Sequence, residues 1–196
     1  MRGGGAAGMD AENALRCTCR EDLHAWLAAN HVTEPWCWVF CKRGKPPADG
    51  SLWYVDVVEE ALCFGWIDST LRRLPSGENA QKLMPRSPRS HWSELNKERC
   101  RRMERLGLMT DAGRAVIPDL DAHFVAEEEI LAAMQADPVA WANFQAFPAL
   151  YQRVRIDNIQ GYRHSASERD RLIARLVQTA HDGVMYGQWD DYGRLG

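Results

Sequence analysis

No uncharged apolar run in this chain is long enough to span a bilayer, which excludes a polytopic membrane protein. No CxxC pair, HExxH or CxxC…HxxxH spacing occurs, so the sequence calls for no structural zinc and no other metal or cofactor. The glycine-rich start, Met1 to Gly8, lacks the apolar core of a signal peptide and reads as part of a flexible leader over residues 1–19. There are no internal repeats, and beyond that leader no low-complexity segment. Nor does either sign of charge dominate: 24 Lys and Arg against 27 Asp and Glu leave −3, which argues against wholesale nucleic-acid binding.

What is present is an ordinary globular composition, 45% hydrophobic and 26% charged, in 196 residues. Six cysteines could suggest disulfides, but Cys37 and Cys41 flank Trp38-Val39-Phe40, and Cys63 lies within Ala61-Leu62-Cys63-Phe64. They read as small buried hydrophobes in a reducing cytoplasm.

Apolar spacing predicts a helix over 21–29, a strand over 36–41, a helix over 54–64 and strands over 66–71 and 79–84. In the 54–64 helix, Tyr54, Val57, Val58, Ala61 and Leu62 form the inward side, with Asp56, Glu59 and Glu60 on the other. From Trp92 the pattern turns helical: a helix capped by Ser93 and ended by Gly107, another from Thr110 to Ile117, and one opened by Glu127-Glu128-Glu129. Asp137-Pro138 and Phe147-Pro148 open two more, and Ser165-Ala166-Ser167-Glu168 is a capping box before the last. The expected architecture is α+β, a small N-terminal sheet with flanking helices in 20–120 and a mainly helical half in 121–196. The aromatic tail Trp189 to Leu195 is expected to dock back on that half.

The strings Val58-Glu59-Glu60-Ala61-Leu62-Cys63-Phe64-Gly65-Trp66-Ile67-Asp68-Ser69, Pro85 to Ser93 with Asn96-Lys97-Glu98-Arg99, and Gly107-Leu108-Met109-Thr110 resemble the bacterial YdeI/OmpD-associated, or bacteriocin-protection, family. Pro148 to Ile159 and the tail extend that resemblance over roughly residues 20–195. It implies a soluble protein linked to resistance against bacteriocins or antimicrobial peptides, with an α+β fold. It carries over no reaction and no catalytic residue.

The net charge hides an asymmetry. Residues 72–105 hold ten cations against four carboxylates, a net of +6, which leaves −9 for the remainder. Inside this segment Arg86, Arg89 and Ser90 lead through Trp92 and Ser93 into a helix start, whose free N–H groups favour an anion. These five residues, with Asp68, are the candidate ligand site for an anionic small molecule or peptide. The competing reading pairs the arginines with internal acids such as Asp68. Arg99 falls in the apolar arc of Leu95, Met103 and Leu106 and is expected to be buried in a structural pair with Asp68. Two alternatives use the same region: an enzyme built on Asp68, Arg99 and Cys63, with His91 as a base, and nucleic-acid binding through 72–105. Trp36, Trp38, Trp53, Trp66 and Trp92 belong to a core or to a binding groove, core packing being the commoner fate.

Overall fold

The computed structural model describes residues 10–195. A single 3-10 turn at Ala11–Asn13 is followed by α1 (Arg20–Asn30), β1 (Cys37–Phe40), α2 (Tyr54–Cys63), β2 (Trp66–Arg73) and β3 (Asn79–Pro85). Then come α3 (Glu94–Arg105), α4 (Asp111–Arg114), α5 (Glu128–Gln135), α6 (Pro138–Ala146), α7 (Ala149–Gln160) and α8 (Ala166–His181). The class is α+β, as the apolar spacing predicts. No helix among the described residues is long and apolar enough to cross a membrane.

The chain divides into two units, one reaching to Ser90 and including Arg99–Pro118, the other made of His91–Glu98 and Asp119 onward. Helix α3 is therefore shared, its first turn counted with the second unit.

In the first unit the three strands form an antiparallel sheet in the order β1-β3-β2. Cys37 faces Leu83 on one side, and Asp68 faces Leu83 on the other, with an irregularity between Asp68 and Leu71. Central β3 buries Ala80, Gln81 and Leu83. Gln81 tolerates this because its side chain donates to the Thr70 carbonyl at 3.2 Å and accepts from Arg43 at 3.3 Å. Trp38, Trp53 and Trp66 are also buried, the fate that core packing assigns to tryptophan.

The flexible leader expected over residues 1–19 does not describe Ala11 to Leu15. Its residues 1–9 lie outside the described residues, but Ala11 and Ala14 are buried and Leu15 bridges Val39, donating to Trp38 O at 2.7 Å and accepting from Phe40 N at 3.0 Å. This pairing covers the outer edge of β1, and an uncovered edge is an aggregation hazard.

Helix α2 departs most from its helical-wheel reading. Glu59 and Glu60, assigned to the solvent side, are 0% and 1% exposed. Arg20, at the start of α1, pairs with Glu59 at 2.7 Å and with Glu60, and Arg102 of α3 lies 2.8 Å from Glu59. His24 Nδ1 lies 2.7 Å from Glu60. Packing on the polar side of α2 is thus possible because α1 and α3 bring cations to meet the carboxylates. At the other end of α2, Thr110 donates to Cys63 O at 2.5 Å and caps α4. Gly113 sits so near that carbonyl that a Cβ would collide with it. Helix α4 is one turn rather than the expected run to Ile117.

The second unit packs Ile130, Met134, Phe144, Tyr151, Ile159 and Leu176 into one core. Asp137 caps α6, accepting from Val139 N and Ala140 N at 3.0 Å each. The capping box expected at α8 does not form: Ser165 makes no side-chain cap, and the Glu168 carboxylate, which would reach back to the Ser165 N–H, instead takes both arms of Arg171, at 2.9 and 2.5 Å. Leu195 is buried and Trp189 packs against Tyr151 at 5.7 Å, so the tail docks on this unit.

Replacing Glu59 with alanine would leave Arg20 and Arg102 short of a buried counter-charge. The expected loss is about 3–5 kcal/mol, read from urea unfolding. A loss below about 1 kcal/mol would show that the network is a solvated surface pair in its effect.

Candidate functional site

The loop leading to α3 is held by its own backbone. Arg86 N donates to Gly65 O at 3.0 Å, Ser90 N to Ser87 O at 2.9 Å, and Arg89 N to Ser87 Oγ at 3.3 Å. Arg86 is buried at 6% exposure, where desolvation works against its charge while the neighbouring Cys100 and Asp68 favour it. Arg89 is exposed and Ser90 half-buried.

In the second unit, Ser93 Oγ accepts from Asn96 N at 3.2 Å, the cap that its position at the helix start predicts. The anion at this helix start comes from within. Asp157 of α7, 5% exposed, accepts from Glu94 N at 3.0 Å with one oxygen and faces His91 Nε2 at 3.1 Å with the other. Glu94 is itself buried, held by Lys97 at 2.7 Å and Arg153 at 3.2 Å. Trp92 is half-buried nearby in sequence. The chemistry expected of this helix N-terminus is therefore met by a carboxylate from 63 residues downstream, which the sequence pattern does not reveal.

Asp68 belongs to a different cluster, inside the first unit. It accepts from Tyr54 Oη at 2.7 Å, and the Arg43 guanidinium lies 3.8 Å from the Tyr54 ring centre. Burial, then the charge of Asp68, push the Tyr54 phenol up, against the opposing pull of Arg99 and Arg43. Arg99 is 7% exposed and its charge acts at this cluster.

Arg43 also lines a groove of about 560 Å³, within the range of ligand sites. Arg16 and Lys42 add positive charge, Phe40 and Leu52 supply an apolar floor, and Glu78 is the one acidic lining residue. Arg16 lies 4.2 Å from the Phe40 ring centre and pairs with Glu78 at 2.9 Å. Trp53 Nε1 donates to Gly44 O at 2.9 Å, pinning the chain just after Arg43. Sequence reasoning missed this groove because Lys42 to Pro47 reads as a turn cluster and Arg16 as part of a leader. The signal was the alternation of cations and aromatics at Arg16, Phe40, Lys42 and Arg43, split over two distant segments.

Residues 15–116 match the family model described as a domain of unknown function (DUF8412), and since that is more than half of its length the chain belongs to this family. Residues 123–183 match the model described as "Bacteriocin-protection, YdeI or OmpD-Associated", so the chain carries a domain of that family as well. The Glu60-to-Asp68 string falls in the first match and the Pro148-to-Ile159 string in the second, so the resemblance read over 20–195 divides between two family models. No curated protein and no solved structure matches the chain.

No group of three or more His, Cys, Asp and Glu among the described residues is arranged to hold a metal ion. The thiols are all free, with Cys37, Cys41, Cys63 and Cys100 buried. Burial, with smaller contributions from nearby groups, pushes Cys41 up to about 11 and Cys37 and Cys100 up to about 12. Cys63 is pushed up further, by burial first and Glu60 second. A thiol at such a site holds its proton at neutral pH and is a poor nucleophile. His91, the base considered for it, is engaged with Asp157. Iodoacetamide at pH 8 is therefore expected to spare these four cysteines in the folded protein and to modify them in urea, read by mass spectrometry. Rapid native labelling of Cys63 would restore the cysteine-enzyme reading.

Proposed function

We propose that this chain acts in a reducing cytoplasm as a non-catalytic protection or stress-resistance protein that binds an anionic ligand, most simply an acidic peptide, in the groove of its first unit. The observation that carries the reading is the groove itself: Arg16, Lys42 and Arg43 around the Phe40 and Leu52 floor, with Glu78 alone in opposition. The match of residues 123–183 to a bacteriocin-protection model supports the biological setting. An apolar floor with cations at the rim suits a peptide whose carboxylates reach guanidinium and ammonium groups while its apolar side chains leave water. Loop 85–93 is the less favoured location, since Arg86 is buried and the adjoining helix start already has Asp157.

The nucleic-acid alternative loses much of its charge to internal use. Of the cations in 72–105, Arg86 and Arg99 are buried, and Arg102 and Lys97 are in ion pairs. Arg72 and Lys82 lie over Trp38 and Trp36.

The test is fluorescence anisotropy with a labelled glutamate-rich peptide and its glutamine counterpart. The acidic peptide is expected to bind at least about tenfold more tightly, and Lys42→Ala, an exposed position, to weaken it about tenfold, the worth of one charge-assisted contact. Equal affinity for both peptides, or an unaffected Lys42→Ala variant, would sink the groove reading. Tight binding of single-stranded DNA with a steep salt dependence would favour the alternative instead.

A further inference from the structure

The second unit contains a buried guanidinium without a carboxylate. Arg155 of α7 is 7% exposed, and its Nε is sealed from solvent with no hydrogen-bond partner. Its guanidinium carbon lies 5.0 Å from the Tyr186 ring centre and 5.7 Å from that of Tyr151. Gly187, at φ +74°, presses its backbone against the same group: a Cβ there would stand 2.7 Å from Nη1. Arg175 of α8, which is exposed, approaches the Tyr186 ring to 4.3 Å. Neither arginine forms an ion pair with any described residue: Asp157, the one acid of α7, and Glu168 of α8 are committed to other groups.

Two cations therefore lie against one phenol ring, and neither is ion-paired to a described residue. Ring faces offset only part of the cost of desolvating a guanidinium. With Nε sealed, the outer Nη1/Nη2 edge of Arg155 is the side that can offer two parallel hydrogen bonds to an oxyanion, its plane held by Tyr151, Tyr186 and Gly187, and Arg175 brings a second charge to the same ring. A ligand with close to two negative charges on a compact group of oxygens matches this pair, and at neutral pH a phosphate monoester has that charge.

We propose that Arg155 and Arg175, flanking Tyr186, form a phosphate-binding site in the second unit, separate from and not dependent on the groove of the first. The group bound is a phosphate dianion, either free or carried on a small molecule or a phosphorylated serine.

The experiment follows the Arg155 Nε–H resonance of the full chain by nitrogen-15 NMR, with calorimetry in parallel, at ionic strength held constant with chloride. Inorganic phosphate is expected to shift that resonance saturably. Arg175→Gln is expected to weaken phosphate about tenfold, whereas Arg171→Gln, which removes equal charge from α8 at a residue paired with Glu168, leaves affinity unchanged. Arg155→Lys keeps the charge but loses the fork, and it too is expected to weaken binding. A phosphoserine peptide binding more tightly than inorganic phosphate, with its serine counterpart silent, would identify a phosphorylated segment as the source. Equal affinity of the phosphopeptide and the free ion would identify the phosphate group alone. An Arg155 resonance indifferent to phosphate, or equal losses in Arg175→Gln and Arg171→Gln, would overturn the site.

Discussion

The first unit depends on how two adjacent carboxylates are taken out of water. Glu59 and Glu60 sit on a helix whose residues from Val57 to Cys63 are all buried. An isolated carboxylate there would cost several kcal/mol, so the helix can be packed on all sides only if cations arrive with its neighbours. Arg20 opens α1 and Arg102 lies in the last turn of α3, and both reach Glu59. Arg20 also meets Glu60 and lies 3.6 Å from Asp56. The ion network therefore ties together three helices, joining Arg20 of α1 and Arg102 of α3 through α2. An apolar contact would tolerate sliding, whereas the arms of one guanidinium shared between two carboxylates specify how α1 meets α2. Buried ionic groups give such specificity in some proteins, and the positions of Arg20 and Arg102 fit that role here.

This is also where the sequence was least legible. The elements themselves could be read, because apolar period and punctuation are local properties: α2 and β2 and the capped start of α6 fall where Gly65 and Asp137-Pro138 place them. Arg99 could be read as buried because it lies within an apolar arc. Glu59 could not, since a charged residue opposite an apolar face looks the same whether it meets water or an arginine from another helix. The same limit explains the leader. Arg2 to Gly8 is visibly featureless, but nothing local distinguishes Ala11 and Leu15 from it, and only the uncovered edge of β1 gives them a partner.

The candidate site was legible in its demand and not in its supply. A helix start preceded by serine and arginine asks for negative charge, and this one receives it, from Asp157 on a helix that begins more than forty residues after α3 ends. Asp68 was singled out for its place at the end of an apolar string, and it does accept a hydrogen bond within a polar cluster, from Tyr54. The phenol was not foreseen, because Tyr54 lies on the inward side of α2, where the periodicity shows only another core aromatic. Side-chain chemistry thus announces what it needs, while the fold decides who answers.

Applied to charge, that distinction changes what the net value of −3 means. A basic run in sequence is a poor guide to a basic surface, because its members are the residues that buried acids recruit, as Glu59 recruits Arg102 and Glu94 recruits Lys97. The informative cations are those whose surroundings the fold has arranged without an acid. Arg155 is of this kind: Tyr151 and Tyr186 flank it and a left-handed glycine makes room for it, yet no carboxylate is placed against it. Its own helix carries Asp157 two residues on, but successive positions on a helix do not face each other, and that carboxylate is spent at the start of α3. A guanidinium housed in this way without an acid is more costly to the free protein than a paired one, and an anion from outside that meets its Nη edge offsets that cost.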